Sequence, residues 1–338
     1  MRLRLTKGSK RPAGKRRVRL TKRKIRKKQP PNRAAGPSPL YDQGYEAGYS
    51  DALRQTADHK SDEVRAAFGE GYDKGRYEGG ERLIETQLPE GHVLPEVGLE
   101  GVVAVGLEHM GHQFLRLTGA GEVFERMVEA MDAQRPLAVV RLGDGETLAL
   151  AQELVMSAEE VRRAGPFLAY AGVDVPDIRA RDMLADAVRR AGIVGIPISR
   201  QPYFQPLLFA VLRAHGIDYR ELTLTFSTVN YMMYLEGYLS RLLAGRRVLL
   251  VGNAAEELAA VLERHGVAVA GAVAPVRGID DVPAVMERIR GASFDIALVA
   301  AGIPAVVLAV RIADELGKVA LDFGHLANSF VKGEAVWT

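Results

Sequence analysis

This sequence predicts an α/β fold: a Rossmann-like, mostly parallel sheet with helices on both faces. Three observations carry that reading. Short, nearly continuous Val/Ala/Leu runs recur between residues 137 and 321, as in strands buried on both sides. Amphipathic helical stretches alternate with those runs, the rhythm of a doubly wound sheet. The chain is 338 residues long, enough for one large domain with appendages.

Residues 1–40 contain 16 Lys or Arg and no acid, which leaves 29 basic against 42 acidic residues, a charge of −13, for residues 41–338. Such a basic, Pro-containing segment predicts a disordered tail that meets a polyanion or an anionic surface. Residues 41–83 carry two copies of a Gly/Tyr pattern, YDQGYEAGYSD and FGEGYDKGRYEGG. The four-residue phase of the first would stack tyrosines along one side of a helix, which suits an interaction or self-association segment, while the many glycines equally suit a weakly ordered spacer. Residues 84–117 read as a linker, 118–330 as the α/β domain and 331–338 as a C-terminal tail.

Within the domain, GEVFERMVEAMDAQ places Val123, Phe124, Met127, Val128 and Met131 on one helical face. PLAVVRLG follows as the first buried strand and ETLALAQELVM as the next helix. DMLADAVRRAG, AGIVGIPI, QPYFQPLLFAVLRAHG and YRELTLTF read as helix, strand, helix and strand. YMMYLEGYLSRLLAG is expected to be one helix capped by Gly245. The last third is the most regular: RRVLLVGN, AAEELAAVLERHG, VAVAGAVAPV, a helix near 283–290, FDIALVAAG, PAVVLAVRIADELG and KVALDFGH. Ligands of such a sheet lie at the carboxyl ends of its strands.

The candidate site residues follow from that rule. Arg141, Gly143, Asp144 and Glu146 stand directly after the first strand, in RLGDGE. In a loop, or on an extended segment where side chains alternate, the two carboxylates share one side and can meet a hard cation such as Mg²⁺ or Mn²⁺. Gly143 and Gly145 permit a tight turn, and Arg141 can balance phosphate charge. Glu146 can instead favour the start of the following helix, and the motif also reads as a solvated turn. At other strand ends stand Arg200, Thr228, Asn230, Asn253 and Gly302. Asn253 reads either as a helix cap or as a partner for a base or sugar, and Gly302 as a point of close ligand approach or of tight packing. Asp322 and His325 close the last strand, where either could contact a metal, an acceptor or a diphosphate, act as a base, or make purely structural hydrogen bonds. Tyr231 and Tyr234 offer sugar-stacking surface or a helix packing face. The chain has no cysteine, which excludes disulfides and thiolate chemistry. No apolar run approaches a membrane span of about 20 residues. The opening residues lack the apolar stretch of a secretory signal, so a cytoplasmic location is expected.

VVRLGDGE, with TLTFSTVNYMMYLEG, RRVLLVGN, FDIALVAAG and VALDFGHLAN, resembles the GT-D-type bacterial glycosyltransferases over roughly residues 118–330. The resemblance implies a Rossmann-like enzyme that transfers a hexosyl group from a nucleotide-sugar donor. Its Asp-x-Glu motif, associated with a divalent metal and the donor diphosphate, falls on Asp144 and Glu146. The Gly/Tyr repeat resembles a subgroup from spore-forming bacteria, which implies a spore or envelope association. The expected reaction is transfer from a UDP-sugar to a protein-linked or cell-surface glycan. The alternative expectation is a catalytically silent sugar-nucleotide-binding or structural module of such an assembly.

Overall fold

The structure, a computed structural model, describes residues 62–337. The basic segment 1–40 and the first Gly/Tyr copy lie outside the described residues. The chain divides into two units, one ending at Met110 and one beginning at Gly111.

In the first unit, the second Gly/Tyr copy is helical. Helix α1 spans Asp62–Arg76 and widens into a π turn, Tyr77–Glu81, before α2 at Arg82–Gln87. Tyr77, the tyrosine displaced from the four-residue phase, opens the π turn. Phe68, Tyr72 and Tyr77 are exposed. Residues 84–117, read as a linker, hold a further helix, α3, at Leu99–His109.

The second unit is built on seven parallel strands: β1 (Leu137–Arg141), β2 (Ile193–Ile196), β3 (Leu224–Phe226), β4 (Arg247–Gly252), β5 (Ala268–Val273), β6 (Ile296–Ala300) and β7 (Val319–Asp322). Their order across the sheet is β3-β2-β1-β7-β6-β4-β5. Alternation of side chains divides the strands between two cores. Ala138, Val140, Leu249, Val251, Ala297 and Val299 face one core, and Val139, Val248, Leu250, Ile296, Leu298 and Leu321 face the other.

The first core is covered by α5 (Asp144–Ala151), α6 (Ala158–Ala164), α7 (Ile178–Arg190), α8 (Gln205–Ala214), α12 (Val282–Ile289) and α13 (Pro304–Leu316). The second is covered by α4 (Ala120–Asp132), α9 (Val229–Leu235), α10 (Tyr238–Leu243), α11 (Ala255–Arg264) and α14 (Leu326–Lys332). The chain thus leaves β1 toward one face and β7, its neighbour, toward the other. That divergence opens a crevice at their carboxyl ends, the usual ligand position in open α/β sheets.

Three local readings change. The expected helix YMMYLEGYLSRLLAG is two, because Gly237 adopts φ 72° between α9 and α10, a left-handed conformation that breaks the helix. ETLALAQELVM stops being helical at Ala151. Fully buried Gln152 turns the chain there, donating to Ala149 O and accepting from Asp177 N, while Arg181 donates to its carbonyl. The C-terminal residues are tied to the domain: Tyr234 Oη donates to Val336 O and accepts from Val336 N, and Trp337 packs on Phe330. No helix among the described residues is long and apolar enough to cross a membrane.

Candidate functional site

Arg141 ends β1 half-buried and reaches across the crevice. Its Nε donates to Asp322 O at 2.9 Å and its Nη2 to Asp322 Oδ1 at 3.0 Å. Nη1 donates to Ser227 O at 3.1 Å and Asn230 Oδ1 at 3.3 Å. The Arg141 backbone N–H reaches the other Asp322 oxygen, Oδ2, at 3.2 Å. Asn230 is fully buried and donates to Phe323 O at 2.8 Å. One guanidinium therefore links the ends of β1 and β7 to the segment after β3. Gly324, at φ 56°, lies against it, and any Cβ there would overlap the guanidinium.

Asp144 and Glu146 are neither in a loop nor on an extended segment. They occupy the first and third positions of α5, after Gly143 as N-cap. Two residues apart on a helix, their side chains point roughly 200° from one another, so the shared side expected from the sequence does not form. Glu146 Oε2 accepts from Gly143 N at 2.7 Å, half of a capping box whose glycine has no side chain to complete it. Asp144 Oδ1 accepts from Gly145 N at 2.9 Å. Gly143 and Gly145 have no left-handed backbone; Gly145 instead brings α5 against Phe167 and Ile303.

Burial pushes the Glu146 carboxyl up to about 7, helped by the nearby Asp322 charge and opposed by the Gly143 N–H and Arg141. Burial also raises Asp322, against the pull of Arg141 and His325. Both shifts follow from removing a carboxylate from water. His325 is exposed at the start of α14, close enough for its charge to act on Asp322.

The crevice thus gathers Arg141, Gly143, Asp144, Glu146, Asn230, Asp322 and His325. Asp322 accepts from Arg141 at both oxygens, an arrangement for positioning rather than for taking a proton. Among the described residues, the other expected ones share no side-chain hydrogen bond with this group. Asn253 follows β4, two strands from β7, which is roughly 10 Å at the usual strand spacing. It does not cap α11; its Oδ1 accepts from Val276 N at 2.8 Å. Gly302, at φ 62°, is approached by the chain itself: a Cβ there would lie 2.7 Å from Ala171 O, and Ile303 N donates to that carbonyl. Arg200 follows β2 and is exposed, with its Nη1 donating to Gln205 Oε1 at 3.2 Å. Thr228 is exposed. Tyr234 packs edge-on against Phe330, which favours its packing role. The sequence reading missed Ser227, whose contribution is a backbone carbonyl and carries no side-chain signal. It also missed the Ala171–Gly172 crossing over Gly302.

A fixed protein cage for a metal is absent among the described residues, where no three His, Asp or Glu side chains are grouped to hold one. Asp322 is held by Arg141, and Glu146 caps α5. A cation carried largely by ligand phosphates needs only one or two protein carboxylates, a habit of Mg²⁺, and Asp144 and Glu146 both stand at the start of α5.

Residues 118–330 match the model of the GT-D fold-like domain. The chain belongs to this family. The match begins where Thr118 joins the sheet edge: its N–H donates to Leu224 O at 2.8 Å, and its carbonyl accepts from Thr225 Oγ1 at 2.7 Å. Two solved structures are similar to this GT-D-like chain. One is a selenomethionine-substituted domain of unknown function 1792, 16% identical with a TM-score of 0.44. The other, described as showing that this highly conserved domain has a distinct glycosyltransferase fold, is 14% identical with a TM-score of 0.46. Each comparison covers 66% of this chain and 83% of the other. No curated protein matches.

Proposed function

We propose that this GT-D-like chain is a glycosyltransferase that moves a hexosyl group from a nucleotide-sugar donor, a UDP-sugar, to a protein-linked or cell-surface glycan. The reading rests on one observation: within a GT-D-like domain, the Asp144-Gly145-Glu146 motif stands at the carboxyl end of β1, in the β1/β7 crevice. Asp144 faces the leaving diphosphate from the first turn of α5, whose N-terminal dipole favours negative charge. Mn²⁺ or Mg²⁺ held by Asp144 would neutralise charge that grows on the diphosphate as the glycosidic bond breaks. His325, exposed at the start of α14, takes the proton of the acceptor hydroxyl. Asp322 positions Arg141, accepting from it at both carboxylate oxygens. Residues 1–40 meet a polyanion or anionic surface and residues 41–83 self-associate, in keeping with a spore or envelope assembly.

The test is a radiolabelled hydrolysis and transfer screen of the purified chain against UDP-, GDP- and dTDP-sugars, with Mn²⁺ or EDTA. Metal-dependent release or transfer is expected, reduced by about 10²–10⁴-fold in His325→Ala, the range for loss of a general base, and also reduced in Asp144→Ala. Donor binding without release or transfer would identify a silent binding module. Absence of binding to every donor would overturn the reading.

A further inference from the structure

Arg141 has the charge to bind a diphosphate but not the freedom. Four of its five guanidinium N–H groups are already donated to Asp322, Ser227 and Asn230. Gly324 presses against the same group. On the β6 side of the crevice, Gly302 is covered by the Ala171 carbonyl. A ligand at Asp144 is therefore directed away from β6, toward β2 and β3.

The segment on that side is residues 197–204. Register pairs Arg141 with Gly195, and Leu142 N donates to Gly195 O at 2.8 Å, so this loop leaves the sheet beside the Asp144 turn. It presents Ile198 and Tyr203, 65% and 41% exposed, together with exposed Arg200. Among the described residues Arg200 makes no ion pair; its bond is to the neutral Gln205 amide. Gln205, the first residue of α8, organises the loop. Its Nε2 reaches Pro197 O and Ile198 O, each at 3.4 Å, its Oε1 accepts from Arg200, and its backbone N–H donates to Ser199 O at 3.0 Å.

We propose that the 197–204 loop is the nucleotide-recognition element: Arg200 binds the diphosphate and Tyr203 stacks on the base, on a loop that Gln205 ties to the start of α8. A guanidinium without a charged partner is suited to paired phosphate oxygens. An aromatic face beside it suits the π-face of a nucleobase. This inference rests on the nucleotide-sugar reading and deepens it.

The experiment is calorimetric titration of the full chain and its variants with UDP and, separately, with inorganic pyrophosphate, in Mg²⁺. The basic residues 1–40 are common to every protein compared, so differences report the loop. Arg200→Ala is expected to weaken both ligands at least about tenfold, the scale of a lost charged hydrogen-bond pair. Tyr203→Ala is expected to weaken UDP at least about fivefold, as for a lost base–aromatic stack, and to leave pyrophosphate unchanged. Both side chains are solvent-exposed, so the melting temperature should stay at its wild-type value. Wild-type binding of UDP with neither variant affected would overturn the loop assignment and leave the glycosyltransferase reading standing. Failure of the wild type to bind UDP, GDP or dTDP would overturn that reading, and this one with it.

Discussion

Arg141 and Asp322 form a largely desolvated pair with additional backbone bonds, Asp322 buried and Arg141 half-buried. For such a pair the net worth over apolar replacements is small, while removal of one partner leaves an uncompensated charge. R141M should therefore lower unfolding free energy by about 3–5 kcal/mol, and D322L by a similar amount. The double variant should be more stable than either single one, since no charge is then stranded. Urea unfolding of the four proteins measures this. Additive losses would mean that the two side chains act independently, contrary to their geometry.

At the scale of the element, the start of α5 binds a carboxyl whose protonation is coupled to folding. Burial raises the Glu146 carboxyl to about 7 in the fold, against an ordinary glutamate value of 4.5. Below about 4.5 both folded and unfolded chains carry the proton, and the group contributes nothing. Between the two values only the folded chain keeps it, so stability falls as pH rises; above about 7 the penalty is constant. Glu146→Gln keeps an oxygen for the Gly143 N–H and has no charge to desolvate. In EDTA, its gain in stability over wild type should be absent at pH 4 and should grow to at most about 3.5 kcal/mol by pH 8, at about 1.4 kcal/mol per pKa unit. A gain that is flat with pH would contradict the burial of this carboxyl.

The elements also divide what the sequence discloses from what it hides. Buried strands and amphipathic helices were legible because their period is set by which side meets the core, and Val123, Met127 and Met131 are buried on α4 as read. The RLGDGE turn was legible as a strand end. The geometry of its carboxylates was not, because one residue decides whether Asp144 begins a helix or ends a loop. Arg141 looked like a phosphate ligand because its partners lie far away in sequence, at Ser227, Asn230 and Asp322. Gly302 looked like a ligand approach because the Ala171 carbonyl that covers it comes from a separate connection. Local pattern fixes neither.

For the whole molecule, charge is the dominant asymmetry: 16 basic residues and no acid over residues 1–40, and −13 over the remainder. Binding of the full chain to a polyanion such as heparin should weaken steeply with salt as counterions compete. Deletion of residues 1–40 should abolish it while leaving the melting temperature unchanged. Retention by the deleted form would place the contact on the acidic body.

The pairing of β1 with β7 also has a consequence for birth at the ribosome. Arg141 and Asp322 are 181 residues apart, and at 5–20 residues per second the first waits about 10–35 s for the second. During that interval β1 has one unpaired edge, and Arg141 lacks its carboxylate. The nascent chain can assemble β1 to β3 early, but it acquires a functional crevice only as its last strand emerges.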